Sequence, residues 1–237
     1  MVKSIKFIPL FFIIFAFTNC KKTMMASGSN FNYSTDGNSK TYLALGDSYT
    51  IGQSVPVTDR FPVQTKNWLQ AAGIKMAEPE IIATTGWTSD NLKNAIAVQN
   101  PHGPYNVVSV LIGVNDQYQF HDTTGYRERF TGLLNTSIAL AGNLRGHVFV
   151  LSIPDYSVTP FAANSDTAMI RIQIDQFNTI NKSVTNQYGC NYLDITASTR
   201  EAKNDATLLA SDGLHPSGKE YQKWAARLGP MMVSALR

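Results

Sequence analysis

Five short apolar segments recur along the chain, and longer polar or amphipathic segments separate them. The apolar segments cover residues 41–46, 80–83, 105–112, 147–153 and 191–195, and several are rich in β-branched residues. Runs of this kind predict short strands, and continuous rather than alternating hydrophobicity is typical of strands buried on both faces. Strands that alternate with helices predict an α/β fold, a three-layer α/β/α sandwich around a mostly parallel five-stranded sheet.

Three of the segments between or after these runs are predicted to be helices. Residues 166–188 and 124–141 carry apolar side chains at helical spacing, at Ile170, Ile174, Phe177 and Val184 in the first and at Phe130, Leu134 and Ile138 in the second. Gly189 and Gly142 are placed to end these two helices. The segment from Ser217 to Glu220 has the serine and glutamate of a capping box, which predicts the start of a C-terminal helix.

The N-terminus differs in composition from the rest of the chain. Lys3 and Lys6 precede an apolar run from Phe7 to Phe17, which is shorter than the about 20 residues that span a bilayer and fits the core of a secretory signal. Cys20 follows, in a position that resembles the lipidated cysteine of bacterial lipoprotein signals, although residues 17–19 depart from the usual small residues. Ordinary cleavage and an uncleaved anchor are the alternatives.

These features predict three regions. We expect a signal peptide over residues 1–19, a lipidated cysteine and flexible tether over 20–40, and one folded domain over 41–237. Such a chain would be exported across the inner membrane and held in the bacterial cell envelope by a lipid anchor at Cys20, facing the periplasm or the cell surface.

The composition of the chain indicates its domain size and limits the kinds of partner that it could bind. The chain has 237 residues, of which 43% are hydrophobic, and this suits one domain with a substantial core. The formal charge is +3, and without Lys3 and Lys6 the basic residues number 18 against 17 acidic ones, so no nucleic-acid partner is expected. We find no zinc-binding spacing, Walker loop or EF-hand loop, and therefore expect neither a metal nor a cofactor. Cys190 beside the last predicted strand is expected to be a buried structural thiol.

A serine near the start and an aspartate and histidine near the end are the residues most suggestive of chemistry. Ser48 comes two residues after Gly46, where the first predicted strand ends, and open α/β sheets bind ligands at this edge. Asp212 and His215 are three residues apart in a loop before Pro216. A histidine can activate a serine for nucleophilic attack, and a carboxylate can orient the histidine. The alternative for the Asp212–His215 pair alone is a solvated polar loop.

Four short segments together resemble the GDSL, or SGNH, hydrolase family. Gly46-Asp47-Ser48 is similar to its first block, Gly86 matches the glycine of the second, Asn115 matches the asparagine of the third, and Asp212 with His215 match the last. The segments occur in the family's order between residues 43 and 216, and three of them follow predicted strands. The alternative, ordinary turn glycines and a turn or helix-capping Asn115, requires four coincidences in order.

The resemblance implies a flavodoxin-like SGNH fold and a role for each matched residue. Ser48 would be the nucleophile, His215 the general base and acid, and Asp212 the residue that orients His215. The oxyanion hole would consist of the backbone N–H groups of Ser48 and Gly86 and the side-chain amide of Asn115. Aromatic residues beside the motifs, Tyr49, Trp87 and Tyr118, could line a substrate pocket or simply pack in the core.

The leading hypothesis is therefore a serine esterase or acylhydrolase. The resemblance implies that it cleaves small acyl esters, acetylated sugars or lysophospholipids through an acyl-serine intermediate. One alternative is an acyltransferase that uses the same residues on glycans. The other is a surface-anchored binding module that keeps the fold without catalysis.

Overall fold

A computed structural model of the protein describes residues 38–237. The predicted signal peptide, Cys20 and most of the predicted tether lie outside the described residues. Lys40, the last residue of the predicted tether, already pairs with the domain, since its N–H donates to the Lys75 carbonyl oxygen at 2.8 Å.

One five-stranded parallel sheet forms the centre of the domain, as predicted. Its strands lie in the order β2-β1-β3-β4-β5. They are β1 (Tyr42–Gly46), β2 (Glu80–Ala83), β3 (Val107–Leu111), β4 (Val148–Leu151) and β5 (Asn191–Leu193). Every residue of β1, β3 and β4 is buried, which explains why these segments are continuous apolar runs.

Eight α-helices connect or follow the strands in the described part of the chain. They are α1 (Ser48–Ile51), α2 (Phe61–Ala71), α3 (Ser89–Gln99), α4 (Val114–Phe120), α5 (Tyr126–Leu140), α6 (Thr167–Gln187), α7 (Thr196–Thr199) and α8 (Gly218–Leu236). The predicted helices correspond to α5, α6 and α8, and the residues that predicted α5 and α6 are buried.

Strand order divides the long helices between the two faces of the sheet. The crossover from β1 to β2 runs toward one edge, whereas the later crossovers run toward the other, and parallel crossovers are right-handed. Helix α2 therefore covers one face together with α8, against which it packs, while α5 packs between α3 and α6 on the other. The rings of Phe61 and Trp224 join α2 to α8, with centroids 5.9 Å apart.

The start of α8 differs in one respect from the predicted capping box. Ser217 Oγ accepts the N–H of Glu220 at 3.4 Å, as expected, but the Ser217 N–H donates to the Leu208 carbonyl oxygen instead of to Glu220. The Glu220 carboxylate is buried and accepts hydrogen bonds from Ser198 Oγ at 2.5 Å and Trp224 Nε1 at 2.7 Å. This half of the prediction is wrong because a buried indole N–H needs an acceptor more than the helix start does.

Candidate active site

Ser48 is the first residue of α1, directly after the carboxyl end of β1. Asp47 caps this short helix, since its Oδ1 accepts the N–H of Tyr49 at 3.0 Å. The first N–H groups of a helix have no acceptor within the helix, so the Ser48 N–H is available to a ligand at this edge of the sheet. Ser48 is only 4% exposed, which limits the space around its hydroxyl.

Gly46 allows α1 to start this close to the sheet. A Cβ atom at position 46 would clash with the Thr50 side chain and with the carbonyl oxygen of Leu111 in β3. The tight approach of β3 and α1 therefore requires glycine at this position for steric reasons.

Asp212 and His215 form a hydrogen-bonded pair in the loop before α8. His215 Nδ1 lies 2.7 Å from Asp212 Oδ2, and the N–H groups of Leu214 and His215 both donate to Asp212 Oδ1 at 2.9 Å. When Nδ1 carries the proton and donates to the carboxylate, Nε2 of the neutral ring is left as a base. This is the arrangement that a general-base histidine requires.

The hydrogen bonds around Asp212 keep its carboxylate ionised. Partial burial acts to raise the pKa of Asp212, but hydrogen bonds from Ser54 Oγ, from the N–H and Nδ1 of His215, and from the N–H of Leu214 outweigh burial and hold the pKa well below its ordinary value. Asp212 therefore stays negatively charged over the whole range in which histidine titrates.

Contacts across the chain bring the histidine loop to the start of α1. The rings of Tyr49 and His215 have centroids 5.1 Å apart, and Ser54 Oγ donates to Asp212 Oδ2 at 2.6 Å. These contacts bring the loop of Asp212 and His215, which is distant in sequence, next to the segment that begins at Ser48. Tyr49 itself is 3% exposed and packs on His215, so it supports the histidine more than it lines an open pocket.

Gly86 and Asn115 lie at the same edge, after β2 and β3. Asn115 Nδ2 donates to the Trp87 carbonyl oxygen at 3.0 Å and lies 3.5 Å from Asp47 Oδ2. Gly86 has φ of +84°, and the Gln119 side chain donates to its carbonyl oxygen at 3.3 Å. These contacts connect the second and third motif segments to each other and to the first.

Two buried carboxyl groups, those of Asp47 and Asp116, lie behind this edge. Burial raises the pKa of Asp47 to about 8, the hydrogen bond from the Tyr49 N–H opposes this, and the nearby charge of Asp116 raises it further. Asp116 accepts hydrogen bonds from the N–H and Oγ of Ser89 at 2.8 and 2.6 Å and has Arg129 Nε at 3.5 Å. Asp116 thereby attaches α4, which carries Asn115, to the start of α3.

An aromatic cluster borders the site. Tyr118 of α4 and Phe161 are each about half exposed, their ring centroids are 6.1 Å apart, and both contact Tyr156. The N–H of Phe161 donates to the Gly213 carbonyl oxygen at 3.2 Å, so this cluster adjoins the histidine loop. Tyr118 was a candidate from the sequence, whereas neither Tyr156 nor Ser54 carries a local signal there.

Among residues 38–237, no group of three or more His, Cys, Asp or Glu side chains is arranged to hold a metal ion. In the same part of the chain, no helix has the length and hydrophobicity needed to cross a bilayer.

Comparison with solved structures identifies the same fold in proteins of low sequence identity. TesA is 15% identical, with a TM-score of 0.65, over 83% of this chain and 100% of TesA. The acetylxylan esterase Axe2 from Geobacillus stearothermophilus is 19% identical, with a TM-score of 0.59, over 81% of this chain and 94% of Axe2. A lipase/acylhydrolase from Enterococcus faecalis is 18% identical, with a TM-score of 0.61, over 84% of this chain and 97% of that protein.

Comparison with curated proteins found no match. The family model of the GDSL-like lipase/acylhydrolases, by contrast, matches residues 44–223, a range that includes every predicted motif residue from Gly46 to His215. The five-stranded parallel sheet and the order of the motifs agree with that match. The chain belongs to the GDSL-like lipase/acylhydrolase family.

Proposed function

We propose that the protein is a serine esterase that hydrolyses carboxylic esters through an acyl-serine intermediate. The observation that carries the proposal is the hydrogen bond from His215 Nδ1 to Asp212 Oδ2, in a loop that contacts the helix beginning at Ser48. A carboxylate-bound histidine beside a serine at a strand end is the arrangement needed for nucleophilic catalysis.

In the proposed reaction, Ser48 Oγ attacks the ester carbonyl carbon while His215 Nε2 takes the hydroxyl proton. The C–O bond to the alcohol then breaks, and His215 returns the proton to the leaving oxygen, which leaves an acyl ester on Ser48. Water, activated by the same histidine, attacks that ester and releases the acid and free Ser48. Asp212 stabilises the imidazolium ion that forms in each half of the cycle.

The tetrahedral intermediates carry negative charge on the former carbonyl oxygen. We assign its stabilisation to the N–H groups of Ser48 and Gly86 and to Asn115 Nδ2. One Nδ2 hydrogen of Asn115 is directed at the Trp87 carbonyl oxygen, which orients the amide. The other faces Asp47 Oδ2 across a long 3.5 Å contact, and this weakly held hydrogen is the one we assign to the oxyanion.

For the substrate, we propose esters whose acyl or alcohol part rests on the cluster of Tyr118, Tyr156 and Phe161. Aromatic faces of this kind bind sugar rings and short acyl chains alike, which fits acetylated sugars, small acyl esters and lysophospholipids. The acetylxylan esterase among the structural neighbours favours acetylated sugars as the first class to screen.

The proposal is tested most directly without choosing a substrate. A fluorophosphonate reacts only with an activated serine, and we expect it to label the purified chain at Ser48, with the adduct located by mass spectrometry. Labelling and ester hydrolysis should both be lost in Ser48→Ala and reduced at least about 1,000-fold in His215→Ala.

Ser165→Ala is a suitable control, because this exposed serine lies outside the site and should leave both rates unchanged. Absence of labelling in a folded protein would contradict the proposal and favour the binding module. Labelling that is followed by acyl transfer to added sugars, faster than hydrolysis, would favour the transferase.

A further inference from the structure

Ser54 has an unusual backbone conformation and an unusual partner. Its φ is +66°, a left-handed value that serine rarely adopts. Its Oγ donates to Asp212 Oδ2 at 2.6 Å, the same oxygen that accepts the hydrogen bond from His215 Nδ1 at 2.7 Å. Unfavourable backbone conformations persist where the surrounding structure requires them, and they are concentrated at functional sites.

The turn that carries Ser54 is anchored to the element that carries Ser48. The N–H of Gln53 donates to the Ser48 carbonyl oxygen at 3.0 Å, and Gln53 Oε1 accepts the hydroxyl of Thr85 at 2.7 Å. The Val55 N–H closes the turn on the Gly52 carbonyl oxygen at 3.3 Å. Ser54 is therefore held at a defined distance from the nucleophile, although it lies on the exposed side of the turn.

The two oxygens of Asp212 are held in different ways. Oδ1 accepts backbone N–H groups from its own loop, whereas Oδ2 accepts the Ser54 hydroxyl as well as His215 Nδ1. The Asp212 side chain is 29% exposed, so water competes for Oδ2 wherever a protein donor does not occupy it. The Ser54 hydroxyl thus links the acid to the segment of the nucleophile.

Resting on the serine-esterase function proposed above, we infer that Ser54 is a positioning residue whose hydroxyl holds the Asp212 carboxylate in the orientation that accepts the His215 Nδ1 proton. Its contribution is transmitted through Asp212 and His215 and involves no contact with the ester. The rate of serine acylation should therefore depend on this hydroxyl even when the fold is intact.

Two substitutions separate the hydroxyl from the backbone strain. Ser54→Ala and Ser54→Gly both remove the hydroxyl, but glycine adopts positive φ without strain, whereas alanine does not. We expect both variants to react with a fluorophosphonate about 10-fold more slowly than the wild type, even though Ser54→Gly should unfold at a higher temperature than Ser54→Ala. Asn143→Gly, at φ of +64° in the turn after α5, is the matched control and should leave the labelling rate unchanged.

The pH profile of the labelling rate supplies a readout that a merely structural role would not move. Without the Ser54 donor, the Asp212 carboxylate can turn away from His215 Nδ1, and it then stabilises the imidazolium form less. We therefore expect the acidic limb of the profile to move to lower pH in both Ser54 variants.

Rates that follow stability, with Ser54→Gly equal to the wild type at every pH, would overturn the inference about Ser54 and leave the esterase proposal standing. A wild-type protein that does not label at all would overturn both. Slow labelling in both variants, together with the shifted acidic limb, would support the inference.

Discussion

At the scale of single residues, Asp47 carries an ionisable group that is deeply buried beside Ser48. Burial raises its pKa to about 8 from an ordinary value of 3.8. Between pH 4 and 8 the folded state therefore holds a proton that the unfolded state has lost, so this group's contribution to stability decreases as pH rises, by up to about 1.4 kcal/mol per pH unit.

Asp47→Asn removes this pH dependence while keeping a side chain that can cap α1. We expect the free energy of unfolding of Asp47→Asn, measured in urea, to increase relative to that of the wild type between pH 5 and pH 8. Asp166→Asn is the matched control, because Asp166 also caps a helix, α6, but from an exposed position. Parallel pH profiles for Asp47→Asn and the wild type would show that Asp47 is ionised in the folded protein.

At the scale of elements, the junction of β1, β3 and α1 depends on the absence of a side chain at Gly46. Gly46→Ala places a methyl group against the Leu111 carbonyl oxygen, and a backbone atom cannot move aside as a flexible side chain can. We expect a loss of about 3 kcal/mol or more in the free energy of unfolding, seen as a lower melting temperature or as failure to fold.

Gly146→Ala is the comparison for this change, since nothing lies within 4 Å of a Cβ at position 146. Its melting temperature should stay close to that of the wild type. Equal melting temperatures for Gly46→Ala and Gly146→Ala would mean that the junction can relax, contrary to the steric account.

The five strands and the two motif glycines show what the sequence could and could not predict. The apolar runs predicted all five strands, since burial on both faces leaves a continuous hydrophobic signature. Gly46 and Gly86 were equally identifiable as motif residues, but their reasons differ: a Cβ at Gly46 meets backbone, whereas Gly86 has open space and positive φ. The sequence cannot distinguish these two reasons, because they depend on the atoms that surround each glycine in the folded structure.

Several elements lacked a sequence signal strong enough for prediction. Helix α3 begins with a capping box formed by Thr88 and Asn91, and asparagine in place of glutamate or glutamine hides the usual pattern. The Glu220 carboxylate was assigned to a local cap but serves Ser198 and Trp224 instead. The contact of Ser54 with Asp212 joins residues 158 positions apart, and no local pattern indicates such a pair.

At the scale of the whole molecule, we propose that the chain is a lipid-anchored enzyme of the bacterial cell envelope. The basis is the sequence of the leader, with Lys3 and Lys6 before an apolar run and Cys20 three residues after its end. Several acyl chains on one cysteine bind a membrane stably, whereas a single chain gives only marginal binding.

Metabolic labelling with an alkyne-bearing fatty acid in a bacterial host tests this anchor. We expect the label to be incorporated in the wild type, to be lost in Cys20→Ala, and to remain in Cys190→Ala, because Cys190 is a buried thiol of the folded domain. The esterase activity should move from the membrane fraction to the soluble fraction in Cys20→Ala. An unlabelled wild-type chain that begins at residue 1 by mass spectrometry would instead establish an uncleaved anchor, and one that begins at a later residue would establish ordinary signal cleavage.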